Sequence, residues 1–291
     1  MVFSRAARLI GATIFSSLAA GSALAQSPVP APKPKPAPDR CLALSEAPGV
    51  APRVMQAAVR LAQATSVTGG LKPGEARLTY IGHSTFLIES AKGVTISTDY
   101  NDIYRAPLTP DIATMNLAHE THHSYVPQAG IKHILRGWNP SGGAAIHDLS
   151  HEDVRVRNIP TNIRTWSGDD SGGRFGNSIF IFELAGLCIA HLGHLHHTLT
   201  VQHLAQIGQM DVVLVPVDGS YTLDVPGMME VLKALKAPLI VPMHYFSRFT
   251  LERFLSEARK VFEVVESPVP TTVLSRANLP ARQRVLVLPG G

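Results

Sequence analysis

Thirteen histidines lie among the 291 residues of this chain. Nine of them fall in four places: His83; His119, His122 and His123; His191, His194, His196 and His197; and His244. Neutral imidazole is a common ligand for zinc and similar ions. A lone histidine is more often a surface residue or a satisfied core residue than a ligand. Here, however, separate clusters follow separate apolar segments, which is how a rigid strand presents a ligand on the loop after it. An ion held this way lowers the pKa of a bound water and polarises the group under attack. The chemistry to look for is therefore metal-assisted hydrolysis.

The elements that must position these residues are short apolar runs separated by turns. Arg77 to Glu89 (RLTYIGHSTFLIE) reads as two strands around a Gly-His-Ser turn, and GVTISTD alternates up to Asp99. Ile112 to Asn116 is a short strand before a histidine-rich loop. Val154 to Ile159 alternates, and Asn177 to Glu183 with Leu187 to Ala190 forms a hairpin. Asp211 to Val217 (DVVLVPV) is apolar enough for a strand buried on both faces. Helices are expected over Pro226 to Lys236 and Thr250 to Phe262, with further strands over Leu239 to Pro242 and Arg284 to Leu288. Paired strands followed by β-α-β imply an α/β sandwich in which helices cover packed sheets.

Before this domain the sequence has a different character. Residues 1–25 carry Arg5 and Arg8, then an apolar run from Leu9 to Ala20, then Ala23-Leu24-Ala25. That is the pattern of a cleaved secretory signal, and the run falls short of the ~20 residues that span a bilayer. Residues 26–50 include SPVPAPKPKPAPD, an extended proline-rich linker. Residues 51–76 are read as a short helical lead-in, and 77–291 as the main domain. The expected location is periplasmic or secreted, with no stable membrane insertion after cleavage. Export permits a disulfide. Sequence does not say whether Cys41 and Cys188 meet, and the reading leans towards a buried free thiol at Cys188.

Composition excludes several classes. Hydrophobic residues are 45% and charged residues 16%, too apolar for a disordered chain. Two cysteines do not make a disulfide scaffold. The net charge is +4, and Arg5 and Arg8 supply part of it, so no nucleic-acid partner is expected. A small-molecule substrate is expected instead; sequence leaves the oligomeric state unknown.

In chain order, GHSTFLIE from Gly82, TISTD to Asp99, NLAHETH from Asn116 to His122, NSIFIFELAGLCIAHLGH to His194, DVVLVPVDGSYTLD, and LIVPMHY to Tyr245 form a series. It resembles the metallo-β-lactamase superfamily, and within it the branch of ascorbate-phosphate lactonases and N-acylphosphatidylethanolamine phospholipase D. The resemblance covers Leu78 to Tyr245 and implies an αββα four-layer sandwich. It also implies departures from the family pattern. Leu117 stands where the first histidine of Thr-His-x-His-x-Asp-His belongs, and Thr121 where its Asp belongs. His194 replaces the acid that bridges two metals. Thr161-Asn162 occupies the place of a further histidine.

What remains is a metal set of His119, His122, His194 and His244. It suits one zinc ion rather than two, with manganese or iron as alternatives. Asp99 is expected to orient a ligand histidine, and His83 to donate a proton or add a ligand. Whether His191, His196 and His197 are ligands stays open. The implied activity is hydrolysis of an ester, lactone or phosphodiester by hydroxide formed at the ion. The alternative is an exported metal-binding, or degenerate and non-catalytic, member of the same fold. A serine nucleophile at Ser84 is disfavoured, because Phe86 stands where the elbow motif needs glycine.

Overall fold

The structure, a computed structural model, describes residues 41–42, 70–164 and 173–290. All belong to one unit, Pro38–Gly291. The expected signal, linker and Ala51 to Ala64 helix, and most of the loop from Trp166 to Arg174, lie outside the described residues.

Strand β1 (Ala76–Gly82), which alternates in burial, and its almost wholly buried partner β2 (Thr85–Ser90) make the first hairpin around His83. Next come β3 (Thr95–Ser97), β4 (Ile112–Met115), β5 (His133–Arg136), β6 (Asp148–His151), β7 (Val154–Thr161), β8 (Asn177–Leu184) and β9 (Leu187–His191). The second half alternates helix and strand: α1 (Val201–Ile207), β10 (Val212–Pro216), α2 (Val225–Leu235), β11 (Leu239–Met243), α3 (Arg248–Ala258) and β12 (Glu263–Glu266). Two further strands, β13 (Thr271–Leu274) and β14 (Arg284–Val287), close the described chain.

The strands form two mixed sheets, ordered β13-β1-β2-β3-β4-β5 and β12-β14-β11-β10-β9-β8-β7-β6. Between them lies a core of Leu78, Phe86, Ile88, Phe180, Phe182, Leu214 and Val241, among others. Within β10, Val213 and Val215 turn the other way. With Ile181 and Ile240 they meet Met228, Leu232, Leu251 and Phe254 from α2 and α3. Strand β10 is thus buried on both faces, as its continuous apolar run implied. This is the expected α/β sandwich. Among the described residues, the three helices all pack on the outer face of the eight-stranded sheet. None of them is long and apolar enough to cross a membrane.

Helix α1 was not anticipated. Only Ile207 of it is buried, so it has no apolar stripe to read, although Thr200 and His203 form a capping box at its start. The cysteine reading needs correction. Cys188 is not a free thiol; it is bonded to Cys41 across 147 residues of sequence. Their Cα atoms stand 5.9 Å apart, within the ordinary range for a disulfide. The bond fastens the segment before the sandwich to strand β9.

Candidate metal centre

Six strands deliver polar side chains to one end of the sandwich. His83 sits in the turn after β1, Asp99 follows β3, and His119 and His122 follow β4. His194, Asp218 and His244 follow β9, β10 and β11. Three of these residues hold the left-handed backbone conformation: His83 at φ 52°, Asp99 at 40° and His244 at 55°. Outside glycine this costs about 1–2 kcal/mol per residue. The surroundings hold it in place. The backbone N–H of His244 donates to the His83 carbonyl at 2.6 Å, and Tyr80 Oη donates to the same carbonyl at 2.8 Å. Gly193, at φ 61°, brings the chain against Asn177 and Asn116, and a Cβ there would lie 2.3 Å from Asn177 Oδ1.

The rings meet around a common centre. Among the described residues, His83, His119, His122 and His244 each offer a nitrogen, and those four atoms lie within 4.8 Å of one another. His122 Nε2 and His244 Nε2 are 3.2 Å apart. His194 stands beside this group, with its Nε2 3.1 Å from His119 Nε2. Behind the rings are two fully buried carboxylates. Asp99 Oδ2 takes His122 Nδ1 at 2.5 Å, and its Oδ1 accepts from Asn116 Nδ2 at 2.9 Å. Asp218 Oδ1 lies 3.0 Å from His244 Nδ1, although off the line of a good hydrogen bond. Asp218 is itself fixed by Thr222 Oγ1 at 2.5 Å and by the backbone N–H groups of Ser220 and Tyr221 at 2.8 and 2.6 Å.

Burial sets the electrostatics. It pushes the His83 imidazole down to about 3 and His119 to about 4, with the neighbouring His244 adding to both. His122 and His194 are held well below the ordinary histidine range, again by burial first and by adjacent rings second. Burial raises Asp99, against the pull of His191 and of hydrogen bonds from Asn116 and Ser84. For Asp218 burial also acts upward, but His244, Thr222 and the Ser220 backbone outweigh it and the carboxyl is held low. His83, His119, His122 and His194 are thus neutral imidazoles, suited to donate electron pairs. A cleft of about 760 Å³ opens beside it, lined by His119, His194, Arg164, Tyr221 and Phe246 among others.

The family model for the beta-lactamase superfamily domain matches residues 77–244, more than half of the chain. The chain belongs to the beta-lactamase superfamily. Relatives include UPF0173 metal-dependent hydrolases from Archaeoglobus fulgidus and Methanoculleus marisnigri. The first is 24% identical over 221 residues, covering 68% of this chain and 95% of that one. The second is 24% identical over 199 residues, covering 64% and 88%. A solved structure of a metallo-beta-lactamase superfamily member from Thermotoga maritima superimposes with a TM-score of 0.54 at 27% identity. It covers 73% of this chain and 98% of that one.

Within this superfamily frame, the residues singled out from sequence all arrive at one place. His119, His122 and His244 belong to the four-nitrogen group, and Asp99 backs His122. His83, read mainly as a proton donor, falls inside the ligand-capable group, whereas His194, read as a ligand, stands next to it. His191 is taken up structurally: Nε2 donates to the Ser84 carbonyl at 2.8 Å, and Nδ1 accepts from the Gly193 N–H at 3.1 Å. His197 bonds the Thr198 carbonyl from an exposed position. Ser84 is buried with its Oγ 3.2 Å from His122 Nδ1, so it supports the ring. Sequence reasoning passed over Asp218 and Arg164. The signal for Asp218 was present, since it ends a buried strand as Asp99 does.

Proposed function

We propose that this superfamily member is a metal-dependent hydrolase in which His83, His119, His122 and His244 hold a single divalent ion. One observation carries the reading. With carboxylates behind their Nδ1 atoms, His122 and His244 keep their protons on Nδ1 and turn lone pairs on Nε2 towards each other at 3.2 Å. Two lone pairs at that distance repel unless a cation lies between or beside them. The spacing suits tetrahedral zinc, whose nitrogen ligands at about 2.0–2.1 Å stand about 3.3 Å from one another. His83 adds a second sign, because its Nε2 is buried with no hydrogen-bond partner among the described residues.

With four nitrogens as ligands, hydrolysis requires a further coordination position open to the cleft; through it an ion would supply Lewis acidity and make hydroxide available near neutral pH. The chain's own residues do the rest. Asp99 and Asp218 fix the ring orientation and tautomer of His122 and His244 and raise their basicity. The Asn116 amide ties Asp99 to strand β8 by also accepting from the Ser178 N–H at 2.7 Å. The adjoining cleft gives a small substrate access to the group around His119, which favours a hydrolase over a closed metal store. The resemblance in motifs to lactonases and a phospholipase D points to an ester, lactone or phosphodiester bond. Zinc fits the all-nitrogen donor set, with manganese and iron as other candidates. The Cys41–Cys188 bond supports export to an oxidising compartment, periplasmic or extracellular.

The test is metal analysis of the purified chain together with chelator-sensitive hydrolysis of a lactone and phosphodiester panel. About one equivalent of metal and chelator-abolished turnover are expected. Tight metal binding with no turnover on any ester, lactone or phosphodiester would favour a metal-handling protein instead. Failure to bind zinc, manganese or iron would end the proposal.

A further inference from the structure

Beside the carboxylate-backed rings, further polar groups form a chain with a fixed direction. It begins at Arg164, which can only donate. Its Nε donates to His196 Nδ1 at 3.0 Å. His196 Nδ1 is therefore an acceptor, and the ring's proton sits on Nε2. That Nε2 lies 2.6 Å from His194 Nδ1. His194 Nδ1 is then the acceptor in its turn, and the His194 proton sits on Nε2. This nitrogen faces His119 Nε2 at 3.1 Å, while His119 Nδ1 bonds Thr121 Oγ1 at 2.8 Å. Every step follows from which group can donate, and the steps agree with one another.

Arg164 is held for this task. Its Nη2 donates to the carbonyls of Ser220, Tyr221 and Thr222 at 3.0, 3.4 and 2.8 Å. The same short loop turns three of its N–H groups onto Asp218. One loop thus orients a carboxylate behind His244 with its amides and a guanidinium behind His196 with its carbonyls. His194 itself is pinned through its backbone, whose N–H donates to Asn177 Oδ1 at 2.7 Å.

We infer that His194 is not a metal ligand but a fixed N–H donor, set in that tautomer by Arg164 through His196, and that it hydrogen-bonds an oxygen of the substrate's reacting group. The inference rests on the metal-centre reading above. Once the His119 lone pair is committed to an ion, the His194 N–H loses its protein acceptor. It then faces the cleft that His119, His194, His196 and Arg164 line together. A preorganised donor aimed where an oxygen gains charge is a large source of transition-state stabilisation. A ligand at His194 would need a lone pair on Nε2, which the hydrogen-bond direction denies it. His194 is the residue that touches substrate; His196 and Arg164 are positioning residues.

The experiment uses the full chain with 15N-labelled histidine, metal-free and zinc-loaded, and reads each ring's tautomer by NMR. A neutral ring protonated on Nε2 is expected in both states, assigned to His194 by its absence in His194→Ala and His194→Gln. Arg164→Leu and His196→Ala should turn that signal into a mixture of tautomers, which a purely structural role would not do. Zinc stoichiometry in His194→Ala should stay near one equivalent with affinity within about threefold of the parent, whereas His83→Ala should lose the ion. A His194 ring protonated on Nδ1 with its Nε2 shifted by metal would overturn the inference. So would loss of zinc in both His194 variants while their circular dichroism stays native. If the parent chain binds no zinc, the metal-centre reading fails. The metal-free tautomer and its response to Arg164→Leu would still decide the directed chain.

Discussion

The two halves of the histidine cluster are backed by opposite charges. His122 and His244 rest against Asp99 and Asp218, while His194 and His196 rest against Arg164. A carboxylate behind Nδ1 holds that proton and leaves Nε2 an electron-pair donor. A guanidinium at the far end reverses the polarity and leaves Nε2 carrying a proton. In the proposed site the same side chain therefore serves as a ligand on one side and as a hydrogen-bond donor on the other. Counting histidines in a cluster does not count ligands; the group behind each ring decides.

This contrast can be broken at several levels. The largest effect is expected on the carboxylate-backed side itself. His122→Ala or His244→Ala should lower bound zinc to a small fraction of an equivalent by elemental analysis, since each removes a central nitrogen. Removing only the backing charge should do less. Asp99→Asn and Asp218→Asn should each weaken zinc by about 10–100-fold in a chelator competition, as is usual for partners of ligand histidines. An Asp218→Asn protein that binds zinc like the parent would break the equivalence of the two carboxylates. On the arginine-backed side, Arg164→Leu should shift zinc affinity by no more than about threefold, and a tenfold loss would erase the distinction between the halves.

The smallest effect concerns stability of the metal-free protein. His83, His119 and His196 are depressed from the ordinary 6.5 to about 3, 4 and 4, so the unfolded chain takes up protons on them first. Stability should be fully present above about pH 6.5 and decline as pH falls towards 4. His122 and His194, held lower still, should carry the decline on below those values. The raised carboxyl of Asp99 works in the other direction and offsets part of the loss. Thermal midpoints between pH 7 and 4 measure the balance, and a midpoint that rose on acidification would contradict the assigned direction.

Much of this was legible in the order of the residues. The strands that deliver the site, β1, β2, β4, β8, β9, β10 and β11, are apolar and bounded by turns, and they lie close to where periodicity placed them. Strands β5, β6, β12 and β13 went unread because each is four residues long and mostly half-buried or exposed, too short to carry a periodic apolar signal. At the site, residue type exposed the histidines but not their roles. What separates His83 from His194 is the partner of each ring, and Arg164 lies 30 positions from His194 in sequence. The disulfide was hidden for the same reason, since 147 intervening residues carry no record of a 5.9 Å approach.

The left-handed backbones of His83, Asp99 and His244 have a wider consequence. At each position glycine would sit at ease, sparing the chain about 1–2 kcal/mol of local discomfort. Each such exchange would also delete a group that the proposed chemistry needs. Selection for robustness alone would wear such a rim away first, so exchanging these residues for glycine separates the demands of the proposed site from the comfort of the fold.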